Sequence, residues 1–504
     1  MSLSPTRPFL RPGAAAGRLS MYRLTVLLLL ALTAWSFLLS LAGALYYSPA
    51  DLAALLAVTV SVTLVSSRVM GLLLRTRPHT ESSVITALIL FFLFWPSTAA
   101  QDLTAAAVAA AAATVSKYLL AWRRRHIFNP AALGAFTAVL VGLPGPAWWV
   151  AAPLMLVAVL PAAALLLWRT RLAGTAAVFA ATALAGSALQ FQLNGTGFAA
   201  GLWTALASFP VVFLAGFMLT EPLTLPPRRS QRLVTAGLVG VLFCLPLQLG
   251  PVHMSPELAL LIGNAVAFGF GQRGAVTLRL AENRTLTPTA RELVFEPARP
   301  VRFSPGQYME LSLPHAPVDG RGSRRTFSIS TGPGGRIGFG LRVQDPPSTF
   351  KAALLRLAPG ATVTGTAVGG DFTPPKSRKP LLLIASGIGI TPFIGWLRSG
   401  ALSGRDVVLV YSVASAEEAA YAAELRAAAA DGGLRVLIFC REEVPGFVRA
   451  ADRLPDGPGL RTLVPDVGAR AAYASGSPRA VAAARRAVRA AGGGRTVTDA
   501  FTGY

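Results

Sequence analysis

Hydrophobic and polar positions follow two different patterns along the chain, and the change falls near residue 272. Apolar runs at 24–44, 52–74, 83–97, 103–121, 130–144, 147–168, 173–190, 198–219, 232–250 and 256–271 are separated by short polar joints. Such runs predict about ten membrane-spanning helices, two or three of them short for a bilayer that needs ~20 apolar residues per span. A helix that stops inside a membrane must be covered by protein or line a cavity. From 274 to 375 apolar residues recur at every second place, in "AVTLRLAENRTL", "ARELVFEP", "SPGQYMELSLP", "RRTFSIST" and "RIGFGLRV", with Gly and Pro between the runs. That pattern predicts a small antiparallel barrel. From 380 apolar strands alternate with glycine turns and helix-like stretches, as in "PLLLIASGIGITPFIGWLR", "DVVLVYSV" and "AEEAAYAAELRAAAA", which is the βαβ order of a doubly wound parallel sheet. The predicted organisation is therefore an α-helical polytopic domain (1–272), an antiparallel β-barrel (273–377) and an α/β doubly wound domain (378–504).

Charge at the joints sets the expected orientation. Those after the second, fourth, sixth and eighth runs carry Arg75 and Arg77, Arg123 to Arg125, Arg169 and Arg171, and Arg228, Arg229 and Arg232, whereas the alternate joints contain no Lys or Arg. The positive-inside rule then places the basic joints, both termini and everything after Arg273 in the cytoplasm. The fifth run opens Asn129-Pro130-Ala131-Ala132-Leu133-Gly134, and the tenth contains Gly263-Asn264-Ala265-Val266-Ala267-Phe268-Gly269. Two such segments five spans apart fit an inverted repeat, which sets a site between the halves near the midplane, and chance similarity is the competing explanation. Arg68 and Lys117 are cations inside apolar runs, open to two readings, snorkelling to the interface or facing a polar cavity. Asn129 and Asn264 are likewise open between cavity lining and interhelical hydrogen bonding. Asp51, Glu81, Asp102, Glu221 and Glu257, the acidic residues before 273, all fall at span ends. No buried carboxylate is expected, and hence no cation or proton relay.

Composition agrees with a membrane protein: 53% hydrophobic, 14% charged, mean hydropathy +0.54. The net charge of +23 does not point to nucleic acid, because the arginines sit at run ends or are scattered rather than clustered among aromatics. Cys244 and Cys440 are too few for a disulfide framework, a structural zinc site or an all-cysteine iron–sulfur cluster within the chain. His79, His126, His253 and His315 all fall outside the spans, which argues against intramembrane haem, and no metal site is expected.

Gly387, Gly389 and Thr391 lie between a strand and a helix, where backbone N–H groups approach a pyrophosphate; glycine also serves such turns for steric reasons alone. The order of parts adds more. "PGQY", "RTFS", this turn, "YASGSP" and the terminal "FTGY" together resemble the ferredoxin–NADP reductase superfamily over residues 274 to 504. The resemblance implies FAD held by Arg325 on its phosphates, by Phe327 on the isoalloxazine and by Ser328 near its N5. Phe327 stands where Tyr is commoner. It also implies a phosphate turn at Pro347-Ser348-Thr349, lacking the family's glycine, a pyridine nucleotide turn at Gly387, Gly389, Thr391 and Pro392, and a nicotinamide loop at Gly476, Ser477 and Pro478. Ser475 replaces that loop's cysteine. A C-terminal aromatic that shields the flavin is Phe501 or Tyr504. Glu417 and Glu418 stand where the family binds a 2′-phosphate with Arg or Lys, which favours NADH over NADPH. Taken alone, Arg325 also reads as a solvated arginine beside Arg324, and Phe327 as a barrel core aromatic.

"SKYLLAWRRRHIFNPAALG" (116–134) and "GFMLTEPLTLPPRRS" (216–230) resemble the flavin-binding membrane subunits of the sodium-pumping NADH:quinone reductase (Nqr) and of Rnf-type electron transport complexes. This implies a second flavin (FMN or riboflavin) or a quinone in the membrane domain, with Lys117 and Asn129 as candidate contacts. The family's Ser-Gly-Ala-Thr attachment motif is absent, so covalent FMN is not expected. The resulting expectation is a multi-pass NAD(P)H oxidoreductase of the cytoplasmic membrane. It would pass electrons through FAD to a flavin or quinone in the bilayer and on to an extracytoplasmic redox partner. A urea-transporter-like pore regulated by a redox module, and a flavin reductase merely anchored to the membrane, are the alternatives.

Overall fold

The computed structural model describes residues 20–76, 79–122, 125–250, 252–270, 275–319, 322–343, 345–452 and 454–501. The chain forms two compact units, one of them Leu19–Gly274 and the other containing Ala275–Tyr504. The boundary drawn at residue 272 falls among residues 271–274, outside the described residues, as do Arg77, Arg123, Arg124 and Tyr504.

In the first unit the apolar runs become α1 (Met21–Leu41), α2 (Pro49–Leu73), α3 (Thr80–Leu93), α4 (Ala100–Leu119), α5 (Pro130–Leu140), α6 (Pro153–Thr170), α7 (Ala173–Leu193), α8 (Phe198–Ser208), α9 (Val211–Leu219), α10 (Arg229–Cys244) and α11 (Pro256–Gly269). Of the roughly ten expected spans, only some have helices of membrane-crossing length. Among the described residues four helices, α1, α2, α6 and α7, are long and apolar enough to cross a membrane, and α8 with α9, bent by 57°, makes a fifth if counted as one span. The other runs fall short for physical reasons. Helices α3, α5 and α11 have only 14, 11 and 14 residues, against ~20 for a span. Helix α4 is long enough, but it is alanine-rich and carries Gln101, Asp102 and Lys117. The short helices are the most enclosed: Ala87 through Phe94 in and after α3 are all buried.

The same neighbour scheme recurs in both halves of this unit. Helix α1 packs on α3, α2 on α3 and α4, and α4 on α5; correspondingly α6 packs on α9, α7 on α8 and α10, and α10 on α11. The close contacts identify which positions correspond. A β-carbon at Gly134 would collide with the Ala109 carbonyl and with Ala113, and one at Gly263 would collide with Val239. Gly269 has open space around it. The Asn-to-Gly alignment made from sequence is therefore not the structural one: Asn129 caps the start of α5, whereas Asn264 lies in the interior of α11.

The second unit begins with six antiparallel strands, β1 (Val276–Thr287), β2 (Ala290–Pro297), β3 (Tyr308–Ser312), β4 (Arg324–Ser328), β5 (Ile337–Arg342) and β6 (Thr362–Gly369), in the order β4-β3-β6-β1-β2-β5. A bridge between Ile329 and Phe339 joins the two edges. Alternation sends Leu278, Leu280, Leu293, Phe295, Leu311 and Phe339 inward, and α12 (Thr349–Leu355) adds Phe350 and Leu354 to the same core.

A parallel sheet follows, built from β7 (Leu381–Ser386), β8 (Val407–Ser412), β9 (Leu434–Phe439), β10 (Val448–Ala451), β11 (Ala471–Gly476) and β12 (Val497–Ala500) in the order β10-β9-β8-β7-β11-β12. Its helices are α13 (Thr391–Arg398), α14 (Ala422–Ala430), α15 (Gly457–Leu463) and α16 (Pro478–Ala490). The strand order reverses between β7 and β11. In open α/β sheets ligands bind outside the carboxyl ends of the strands at such a switch point, which here is where Gly387 and Gly476 stand.

Barrel and sheet are clasped by one polar cluster. Arg398, ending α13, donates to Glu292 of β2 at 2.6 and 3.2 Å and to Glu424 of α14 at 2.6 and 2.8 Å. Ser330 and Tyr421 also donate to Glu292, at 2.6 and 3.2 Å. Burial pushes the Glu292 carboxyl up, but the hydrogen bonds and charge of Arg398, with Ser330 and Tyr421, outweigh it and hold it below the ordinary range. A depressed carboxyl stabilises the fold above its unfolded value, about 4.3 for Glu, and that contribution is lost as pH falls through the folded value. Thermal stability of the second unit, followed by intrinsic fluorescence, should therefore fall below about pH 4.3, and Glu292→Gln should flatten that dependence.

Candidate functional site

A cleft of about 260 Å³ opens where the barrel meets the switch point. Thr326, Phe327, Ser328, Gly340, Leu341, Arg342 and Lys351 line it from the barrel side, and Ser386, Gly387, Ile388, Gly389, Gly476, Ser477 and Phe501 from the sheet side. Six of the residues singled out from sequence, Phe327, Ser328, Gly387, Gly389, Gly476 and Ser477, thus meet in one place with Phe501. Phe327 is nearly buried and lies on Phe350, centroids 6.2 Å apart at 26°. Gly389 cannot carry a side chain: its β-carbon would lie 2.5 Å from both the Gly476 α-carbon and the Ser475 carbonyl oxygen. The two turns therefore touch backbone to backbone, while a β-carbon at Gly387, also on the cleft wall, would meet nothing within 4 Å. Strand β12 pairs with β11, and the Phe501 N–H donates to the Gly476 carbonyl at 2.8 Å.

The remaining predicted residues stand behind the cleft rather than on its walls. Thr391 is buried and its hydroxyl donates to the Ile388 carbonyl at 2.7 Å, closing the glycine turn, while Pro392 is buried in the first turn of α13. Pro478 opens α16, whose first turn the Ser477 hydroxyl caps by accepting from the Ala480 N–H. Ser348 caps α12 in the same way through Lys351, and the Thr349 hydroxyl accepts from the Asp319 N–H at 3.1 Å. Arg325 is not a solvated arginine. It is 4% exposed, 3.2 Å from Asp319 and 5.3 Å over the Phe350 ring. Glu418 accepts from Thr289 and Thr287 of the barrel and lines a small pocket with Gly387, Ile388 and Ala414, while Glu417 is exposed.

Sequence reasoning missed Asp499. The Ser328 hydroxyl donates to its carboxylate at 3.3 Å, which sets an acid–base group beside the aromatic floor of the cleft. The sole advance signal was its place two residues before Phe501; the contact itself depends on β12 adding to the sheet.

In the first unit the expectation of no buried carboxylate is overturned. Glu257 is 2% exposed and accepts from the Trp148 indole at 3.2 Å. Glu221 lies 2.8 Å from His126 Nε2 and accepts from Asn129 Nδ2 at 2.9 Å. The Asn129 N–H in turn donates to Asn264 Oδ1 at 2.7 Å, so these two asparagines do bond between helices. Lys117 donates to the Ser82 carbonyl and hydroxyl at 2.9 and 3.2 Å, whereas Arg68 is exposed. Arg125, expected as a leaflet charge, is 8% exposed and holds the Pro222 and Leu223 carbonyls at 2.8 and 2.7 Å. Short helices account for these corrections, because their ends, and the charges there, lie inside the protein.

No family model matches the chain. Among curated proteins it is similar to ferredoxin–NADP reductase B of Sorangium cellulosum, 35% identical over 157 residues, covering 30% of this chain and 63% of that protein. It is also similar to the ferredoxin reductase component of the 3-ketosteroid-9-alpha-monooxygenase of Mycolicibacterium smegmatis, 30% identical over 226 residues, 43% of this chain and 62% of that one. Among solved structures it is similar to the FAD/NAD-binding domain of a nitric oxide dioxygenase from Vibrio cholerae, with 21% identity and a TM-score of 0.41, covering 45% of this chain and 98% of that one. The chain spans under two thirds of the length of these two curated relatives. The two curated relatives support a ferredoxin–NADP reductase-type FAD/NAD-binding module in the C-terminal half and the class of flavoprotein oxidoreductases.

Proposed function

We propose that the chain is a membrane-bound NAD(P)H oxidoreductase that delivers electrons from cytoplasmic NAD(P)H, through FAD in the second unit, to a flavin or quinone in the first and then to an extracytoplasmic redox partner. The domain plan is 1–272 in the membrane, 273–377 for FAD and 378–504 for the nucleotide. The observation that carries this reading is the convergence of Phe327, Ser328, the Gly387–Gly389 turn, Gly476 and Phe501 on one cleft, in a chain that also holds helices of membrane-crossing length.

The residues present fit the flavin and the dinucleotide. Phe327 offers an aromatic face, Ser328 a hydroxyl already paired with Asp499, and the open space at Gly387 admits a phosphate-bearing ligand to the start of α13. Arg325, fixed by Asp319, supplies positive charge over the Phe350 ring that stacks on Phe327. FAD, when bound, accepts electrons from NAD(P)H as a pair and releases them singly. Ser328, paired with Asp499, would orient the flavin and exchange a proton with that carboxylate, Phe501 would cover the flavin face until nicotinamide displaces it, and the closed turns would exclude water. Exposed Glu417 disfavours a 2′-phosphate, so NADH is the preferred donor. In the first unit, Asn129 and Lys117 order the protein around the second acceptor through Glu221 and Ser82.

The test is purification of the full chain in detergent, with flavin quantified and its bleaching followed on adding NADH or NADPH. FAD bound and bleached faster by NADH is expected; a chain without flavin, or flavin inert to both nucleotides, contradicts the reading. Ser328→Ala should retain flavin and slow its reduction by about 10²-fold, in the range for a positioned proton donor, measured by stopped flow.

A further inference from the structure

Helix α16 presents a second surface, set by its charge. Its buried stripe is Val481, Ala484, Ala487 and Val488. Arg479, Arg485, Arg486 and Arg489 are exposed, and at 3.6 residues per turn they fall within an arc of about 120° on the opposite side, centred on Ala482. The helix carries no acidic residue. Elsewhere in the unit arginines such as Arg279, Arg336, Arg398 and Arg470 meet carboxylates, but among the described residues Arg479, Arg485, Arg486 and Arg489 pair with none. Four like charges held side by side repel one another, and a fold gains nothing from that arrangement by itself.

We propose that this arginine face docks on anionic lipid headgroups of the leaflet next to the second unit. The inference rests on the membrane reading above. Charge complementarity selects the occupant, since anionic leaflets attract juxtamembrane basic residues within a Debye length. Proximity supplies the rest: six residues separate Gly269 of α11 from Val276 of β1, a reach of at most about 25 Å.

The test uses the full chain in nanodiscs with an environment-sensitive dye on Ala482→Cys, checked against an unsubstituted chain labelled identically to subtract Cys244 and Cys440. In discs of phosphatidylcholine with a third phosphatidylglycerol the emission should shift to the blue at low salt, and the shift should vanish in high salt or in pure phosphatidylcholine. Each arginine is expected to contribute about fivefold to leaflet association, so Arg485→Gln/Arg486→Gln/Arg489→Gln should abolish the shift while NADH-to-dye turnover is kept. A shift produced by polyglutamate but not by phosphatidylglycerol would overturn the proposal in favour of an acidic protein partner. No shift with either would overturn it in favour of a solvated face. A chain lacking NADH-reducible flavin would sink the functional reading instead, and is scored separately.

Discussion

Arg398→Met is expected to destabilise the second unit by about 3–5 kcal/mol, the cost typical of breaking a buried ion pair by removing one partner. Glu292 is 1% exposed and would keep only Ser330, Tyr421 and the distant Arg284, 3.7 Å away, as partners. Followed by release of flavin fluorescence on heating, the loss should lower the transition by about 10 °C for a unit of this size. Because the penalty comes from a stranded charge, Glu292→Leu together with Arg398→Met should recover much of it. A double variant as unstable as the single one would show instead that the packing of the Arg398 stem carries the effect.

Gly389→Ala should cost about 10²-fold or more in kcat/KM for the nucleotide while leaving flavin in place. Both atoms its methyl group would strike at 2.5 Å, the Gly476 α-carbon and the Ser475 carbonyl oxygen, belong to backbone, so relief requires moving one turn off the other. A displacement of about 1 Å at a binding turn is enough for a loss of that size. Steady-state kinetics with NADH, beside flavin content, separates this from general unfolding. Gly387→Ala serves as a comparison, since Gly387 meets nothing within 4 Å but sits at φ +52°; its penalty is conformational and should be smaller.

What could be read in advance follows from how local each signal is. Period-two alternation exposed β1 to β5, and the strand–glycine–helix order exposed β7 and its turn. The "TVTGTAVG" of β6 was silent because threonine and glycine give no clear alternation. Asp499 reaches Ser328 only once β12 has paired with β11 across a helix. In the first unit the apolar runs located the helices, but run length overstated how many of the described helices are long and apolar enough to cross a membrane. The Glu221, His126, Asn129 and Asn264 cluster joins residues up to 135 positions apart, and no spacing rule connects joints that distant. Charges at run ends looked solvated because a run end is ordinarily a membrane surface; where the helix is short, as α5 and α11 are, it is an interior position.

The central claim is that electrons leave the second unit for an acceptor in the first. The most direct measurement is the difference spectrum of the anaerobic full chain in proteoliposomes after one equivalent of NADH, compared with a chain lacking residues 1–272. Reduction of FAD followed by a second chromophore, flavin or quinone, that the shortened chain lacks is the predicted result. A single FAD per chain, reduced identically in both proteins, would contradict it and leave the first unit as an anchor.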